Sequence, residues 1–116
     1  METADCIFCR IIAGELPADF LHKDDLVVAI ADLHPKAPTH LLLMPVAHVV
    51  SAADLTDAHA PMLGRLFAVG AKLAREAGVL DSGFRLVANA GKGAGQSVPH
   101  LHFHLLGGRS MRWPPG

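Results

Sequence analysis

Residues 99–106 read Pro-His-Leu-His-Phe-His-Leu-Leu, three histidines in strict alternation with large apolar side chains. An extended chain sends successive side chains to opposite faces. A strand here therefore places His100, His102 and His104 on one face and Leu101, Phe103 and Leu105 on the other. Burial of the apolar set fixes the register, because a slip of one residue would bury the imidazoles and expose the hydrocarbon. A single histidine on a strand is most often solvated or hydrogen-bonded; three in alternation point to a site. Same-face imidazoles also suit zinc, so a metal centre and a nucleophile of near-neutral pKa both stand as readings of this segment.

The segment just upstream, Asn89-Ala90-Gly91-Lys92-Gly93-Ala94-Gly95-Gln96-Ser97, is glycine-rich. Glycines allow close backbone approach, and successive amides can form an anion-binding concavity. Alone the loop is weak, since it matches neither the P-loop nor the dinucleotide-binding pattern and is more often a flexible turn. Beside the imidazoles it supplies an anion holder next to a nucleophile, the pairing that phosphoryl or nucleotidyl transfer needs.

The rest of the chain supports an α+β domain on an antiparallel sheet of about five strands. Apolar Ile7, Phe8, Ile11 and Ile12 at helical spacing predict a short helix over 6–13, stopped at Gly14. β-prone runs predict strands at 20–22 and 26–31, around the Lys23-Asp24-Asp25 turn, and at 41–44, closed by Pro45. From 57 to 77, Leu63, Leu66, Phe67, Gly70, Leu73 and Ala77 share one helical face opposite Arg65, Lys72, Arg75 and Glu76, giving one long amphipathic helix. Asp57 is a candidate cap, Pro61 is tolerable only in the first turn, and Gly78 is a stop. Two further strands are expected at 84–88 and 101–106.

The length of 116 residues, 51% hydrophobic, suffices for one core without disulfides, so a single domain is expected over 1–116, with 107–116 as a tail. A net charge of −1 provides no basic field for a nucleic-acid polymer. The opening Met-Glu-Thr-Ala-Asp-Cys is unlike a secretory leader, and no apolar run reaches membrane-spanning length, so a cytoplasmic protein is expected. In a reducing compartment the only cysteines, Cys6 and Cys9, suggest metal or redox chemistry more than a structural disulfide. His22, His34 and His59 lie outside any cluster and read as solvated side chains.

Residues 95–109, Gly-Gln-Ser-Val-Pro-His-Leu-His-Phe-His-Leu-Leu-Gly-Gly-Arg, closely resemble the signature of the histidine-triad (HIT) nucleotide-binding family. Residues 6–17, 32–45 and the terminal Trp113-Pro114-Pro115-Gly116 extend the likeness, which is strongest to the purine nucleoside phosphoramidase branch. The resemblance implies a HIT-like fold and hydrolysis of a purine nucleoside phosphoramidate. In it His102 attacks phosphorus to form a nucleotidyl-histidine intermediate that water hydrolyses. It assigns the His100 carbonyl to orient His102, His104 and the amides around Gly95, Gln96 and Ser97 to hold phosphate oxygens, and Ser97 to assist the leaving amine. Asp32 resembles the ribose-binding carboxylate. Ile7, Phe8, Ile11, Leu16, Ile30 and Leu33 would line the base slot, although ordinary core packing is the plain reading of apolar residues. Asn89 is a further ribose or phosphate contact, and His40 an orienting partner near the triad.

The same resemblance implies a structural zinc held by Cys6, Cys9, His48 and His100, with no cofactor for catalysis; reduced thiols and a redox pair are the alternatives. Cys6 and Cys9, at i and i+3, share a helix face. If His100 binds the metal, that ring nitrogen cannot touch phosphate. It further implies a homodimer in which the tail, with Trp113, reaches the neighbour's substrate entrance. Pro99, Arg112 and Ile30 depart from the family pattern, the first two without removing a catalytic atom, the last reducing purine stacking. A nucleotide-binding or interaction module with little turnover, another mononucleotide conjugate hydrolase or transferase, and a zinc-dependent hydrolase are the competing readings.

Overall fold

A computed structural model describes residues 5–116; Met1 to Ala4, the acidic opening read above as unlike a leader, lie outside the described residues. Five strands, β1 (Phe20–Lys23), β2 (Val27–Ala31), β3 (Thr39–Pro45), β4 (Phe84–Val87) and β5 (Phe103–Gly107), form one sheet in the order β1-β2-β3-β5-β4 with every pair antiparallel. The short helix α1 (Ile7–Ile12) precedes them, and the long helix α2 (Ala60–Glu76) connects β3 to β4. No helix among the described residues is long and apolar enough to cross a membrane.

The two sheet faces carry separate cores. Val27, Ala29, Leu41, Leu43, Leu101, Phe103 and Leu105 pack against Met62, Leu66, Val69 and Leu73 of α2. Val28, Ile30, Leu42 and Met44 face the other way, onto Cys6 and Phe8 at the start of α1. Strands β2 and β3 are thus buried on both sides, which explains their unbroken apolar sequences. The alternation on β5 does what its sequence requires: the apolar members join the α2 core and leave the histidines to the α1 face.

Several boundaries differ from the sequence reading. Strand β3 begins at Thr39 and so includes His40, and Gly107 ends β5 instead of opening the tail. The ladder of β5 starts only at Phe103, leaving His100 in a bend and Leu101 and His102 unladdered. Phe103 pairs with Leu43, so an extension would set Leu101 opposite Pro45, which has no N–H to offer. The Leu101 amide donates to the Val49 carbonyl instead, at 2.6 Å. The long helix is preceded by a separate 3-10 turn, Asp57–His59, capped from Thr56, and Pro61 sits in the first turn of α2.

Two of the histidines read as solvated are engaged. The Thr56 amide donates to His59 Nδ1 at 2.9 Å, closing the cap. The His22 side chain is only 8% exposed, with Nε2 donating to Asp24 Oδ2 at 2.6 Å. Asp24 also accepts from the Leu26 and Val27 amides and from Arg65 Nε, tying α2 to the β1–β2 turn. Burial opposes ionisation of this carboxyl, but the donated hydrogen bonds outweigh it and hold its pKa well below the usual carboxylate range. The tie is complete above the ordinary carboxylate pKa and weakens as acid lowers the pH through the depressed value.

Close packing makes two glycines opposite in effect. A Cβ on Gly107 would lie 2.9 Å from Val79 Cβ, an atom anchored to the backbone, whereas one on Gly64 in α2 would meet nothing within 4 Å. Gly64→Ala is therefore expected to stabilise the protein by about 0.5–1 kcal/mol. Gly107→Ala should destabilise it by about 1–3 kcal/mol. Urea unfolding of the two variants against the parent checks both signs.

Candidate active site

Of the histidines on the α1 face of β5 and its approach, His100 and His102 are oriented by the backbone. His100 is fully buried, and its Nε2 donates to the Pro45 carbonyl at 2.8 Å. Its Nδ1 is therefore left unprotonated in the neutral ring and faces Cys6 Sγ at 3.3 Å and Cys9 Sγ at 3.6 Å. With both ring nitrogens engaged, His100 reaches the site through its main chain alone: His102 Nδ1 donates to the His100 carbonyl at 2.7 Å. That bond places the remaining lone pair of a neutral His102 on Nε2. His102 is 6% exposed, flanked edge-on by Phe8 at 5.1 Å and by His104 at 5.2 Å between ring centroids. Its Nε2 makes no hydrogen bond among the described residues and is not sealed from solvent.

His104 is half-buried and meets His40 on β3, with His40 Nε2 2.9 Å from His104 Nδ1. Asp32, just past β2, approaches both rings, its Oδ2 3.3 Å from His40 Nε2 and 4.0 Å from His104 Nδ1. Asp32 Oδ1 accepts from the His34 amide. Burial, followed by the charges of His102 and His40, pushes His104 below the ordinary histidine pKa, and Asp32 pulls the other way. Burial also lowers His40, against Asp32.

Two cavities border this group. One of about 310 Å³ is lined by His40, His104 and Asn89 together with Lys36, Arg85 and Arg109. The other, about 140 Å³, is mainly apolar and lined by Ile11, Ile30 and Leu33 with Pro17, Ala18, Ala31 and one carboxylate, Asp19. His102 lines neither; its neighbours on α1 and β5 do. Of the residues assigned to a base slot, Ile11, Ile30 and Leu33 come together there, although Leu33 is 90% exposed and can serve only as a rim. Ile7 faces solvent and Leu16 lies outside both linings. Phe8 walls the triad itself, packed against His100 and His102. Sequence reasoning missed Pro17, Ala18 and Ala31, small residues whose value is the space they leave. Trp113 is 83% exposed and lines neither cavity.

The glycine-rich loop differs from the expected cradle. Gly91 and Gly95 adopt positive φ of 88° and 87°, as glycine permits. The Gly95 and Gln96 amides, however, donate within the loop to the Lys92 and Gly91 carbonyls, so neither is available to an anion. The Gln96 side chain braces the loop: Oε1 accepts from the Gly91 amide, and Nε2 donates to the Val50 and Val98 carbonyls. Among the described residues the Ser97 amide has no such partner, and Ser97 is exposed. The Ser97 amide and its exposed hydroxyl are thus unengaged, and the Ala90, Lys92 and Gly93 amides likewise have no partner among the described residues.

A second cluster lies behind the triad. Ligand atoms of Cys6, Cys9, His48 and His100 all lie within 4.8 Å of one another. Cys9 Sγ is 3.3 Å from His48 Nδ1, and the buried His48 Nε2 has no partner among the described residues. A tetrahedral zinc with Zn–S of about 2.3 Å and Zn–N of about 2.0–2.1 Å spaces its sulfur and nitrogen ligands about 3.5 Å apart. The S···N separations of 3.3–3.6 Å match that edge, and the His100–Pro45 bond is the outer contact that metal-bound histidines usually make. The donor set fits zinc. Without a cation, burial and the neighbouring Cys6 raise the Cys9 pKa to about 11. Asp32, His40 and His104 form another compact group of ligand-type atoms.

An antiparallel five-stranded sheet with histidines oriented by main-chain groups defines a class, and the comparison with known proteins agrees: residues 13–111 match the HIT domain, and the chain belongs to that family. The purine nucleoside phosphoramidase of Escherichia coli is 42% identical over 107 residues, spanning 92% of this chain and 90% of the relative. An uncharacterized HIT-like protein of Synechococcus elongatus is 45% identical, over 97% of each chain. Among solved structures, a HIT family hydrolase from Legionella pneumophila superposes with a TM-score of 0.94 at 44% identity, over 97% of this chain and 100% of that one.

Because Phe8 buttresses both His100 and His102, Phe8→Ala should destabilise the fold by about 3–5 kcal/mol. It should also loosen the His102 ring. Denaturant titration reads the first effect, and broadened or shifted His102 ring resonances in the folded variant read the second.

Proposed function

We propose that this protein hydrolyses the P–N bond of a purine nucleoside phosphoramidate, with His102 as nucleophile. The observation that carries the reading is the 2.7 Å bond from His102 Nδ1 to the His100 carbonyl, which leaves Nε2 as the attacking lone pair. Nε2 attacks the α-phosphorus and the P–N bond breaks. The amine takes a proton as it leaves, supplied through the Ser97 hydroxyl. Water then attacks phosphorus, the P–Nε2 bond breaks, and the nucleoside monophosphate is released with His102 neutral again; the water's proton passes to solvent and balances the one that Ser97 relayed from solvent to the amine. His104 and the Ser97 amide donate to the phosphate oxygens as charge shifts onto them. Asp32 holds the ribose hydroxyls, Asn89 contacts ribose or phosphate, and the apolar cavity at Ile11 and Ile30 takes an edge of the base. Similarity to the Escherichia coli phosphoramidase supports the substrate class.

The reading includes one domain, a homodimer and a cytoplasmic setting. The sheet ends at β4, whose outer edge is unpaired among the described residues, and Phe67 on α2 and Trp113 in the tail are exposed, as a dimer contact would require. With Cys6, Cys9, His48 and His100 all contributing, a zinc would have a closed shell and a structural role, pinning α1 to the sheet.

His102→Ala is expected to lower hydrolysis of an adenosine phosphoramidate by about 10³-fold or more while AMP still binds. Rapid acid quench of the parent with a slow substrate, followed by peptide mass spectrometry, should find the nucleotidyl group on the peptide containing His102. Unimpaired turnover by the variant, or label on another residue, refutes the assignment. For the metal, elemental analysis should find about one zinc per chain. Cys9→Ser should lower both zinc content and melting temperature, with turnover per folded molecule the less affected quantity. Complete loss of turnover from metal-stripped protein that is still folded would instead place the metal in the chemistry.

A further inference from the structure

The contact between His40 and His104 carries more information than proximity, because a backbone amide fixes its direction. The Lys36 N–H donates to His40 Nδ1 at 2.9 Å, and an amide can only donate. His40 Nδ1 must therefore be bare, and the proton of the neutral ring lies on Nε2. That nitrogen is 2.9 Å from His104 Nδ1 and 3.3 Å from Asp32 Oδ2, so the single N–H points into the space between them and lies closer to His104. His104 Nδ1 then accepts, and its own proton is left on Nε2.

We propose that His40 is a positioning residue which transmits the Lys36 amide's orientation to His104, holding His104 as the neutral Nε2–H tautomer so that it serves the phosphate as an uncharged hydrogen-bond donor. This rests on the reading of the site as a phosphoryl-transfer centre for its purpose, though not for its geometry. The competing arrangement fails on distances. A proton on His104 Nδ1 would point at the proton already on His40 Nε2, with 2.9 Å between the nitrogens. It could not turn to Asp32 instead, because Oδ2 is 4.0 Å away, beyond hydrogen-bond reach. Protonating His104 thus requires His40 either to withdraw or to give up the Lys36 amide, which would leave a donor unmatched.

The surroundings agree. His104 is faced by His102 on its own strand segment, by His40 on β3 and by Asp32 beyond β2. Lys36, Arg85 and Arg109 surround the adjoining cavity. Asp32 alone among these favours a charged ring, and its carboxylate already accepts the His34 amide and lies nearer His40. The consequence for chemistry is a division of labour. His104 contributes a fixed dipole to the transition state and holds no transferable proton, so the proton for the leaving amine comes by way of Ser97.

The test needs no substrate. In the protein as isolated, labelled with nitrogen-15 in its histidines, long-range proton–nitrogen correlation at neutral pH is expected to show a protonated Nε2 and a bare Nδ1 on His104. The reverse tautomer, an average of the two, or a doubly protonated ring overturns the proposal, whether or not the protein hydrolyses phosphoramidates. Conversely, if the tautomer stands while His102→Ala retains turnover, the functional reading fails alone. His40→Glu replaces the N–H by an acceptor and should draw a proton onto His104 Nδ1. It should also lower kcat by about 10²-fold with KM little changed and add a limb to the pH profile of kcat. His40→Gln can present an amide N–H to His104 and should recover at least about tenfold of that loss. Equal kcat for the glutamine and glutamate variants, with no change at His104 Nδ1, would reduce His40 to a packing residue; if neither variant folds, the parent spectrum decides.

Discussion

Everything distinctive about this molecule depends on β5 being held between two unlike faces. Leu101, Phe103 and Leu105 are buried against α2, and their transfer from water is worth about 1.5–3 kcal/mol per fully buried side chain. No competing register offers that burial, so the imidazoles have no choice of side. β3 reinforces the arrangement from the neighbouring position, pairing Leu41 with Leu105, Leu42 with His104 and His40 with Leu106. Apolar packing on one face therefore sets, to within a rotamer, where the polar groups of the other face lie.

On that other face the backbone decides the protonation pattern. The Pro45 carbonyl takes the Nε2 proton of His100, the His100 carbonyl takes the Nδ1 proton of His102, and the Lys36 amide occupies Nδ1 of His40. Main-chain groups do not titrate near neutrality and move little in a close-packed interior, so they are better references for a tautomer than other side chains. The three rings from which a site would be built thus present known atoms: a ligand nitrogen from His100, a lone pair from His102 and, through His40, an N–H from His104. Had carboxylates oriented all of them, the rings would hold charge and the site's state would vary with pH.

Much of this was legible in the sequence, and the limits of legibility have physical causes. Alternation in 99–106 gave the faces, because a period of two is a local property of extended chain. The helical stripe of α2 and the cysteine pair were readable for the same reason. What could not be read was set by pairing. Pro45 ends the ladder opposite Leu101, so His100 lies outside the strand, and only the β3–β5 register shows it. His40 was recognised by resemblance, but its direction depends on an amide four residues away across a turn. The glycine loop misled because composition reports conformational freedom and says nothing of where the amides go; Gln96 and the loop carbonyls capture those of Gly91, Ala94, Gly95 and Gln96. His22 and His59 were misread because their partners, Asp24 and the Thr56 amide, are local capping contacts that no spacing rule singles out.

One residue joins the metal-type cluster to the triad. His100 faces the cysteines with its ring and orients His102 with its carbonyl, and Phe8, two residues after the Cys6 cap of α1, rests on both rings. A displacement of Cys6 or Cys9 would move the His100 ring, and through a single residue the carbonyl that fixes the His102 tautomer. Four closely spaced ligand groups without a cation include two thiols, one of them pushed up to a pKa of about 11. A cation held by the two sulfurs and the Nδ1 atoms of His48 and His100 would tie α1 to the sheet and fix the residue whose carbonyl orients His102.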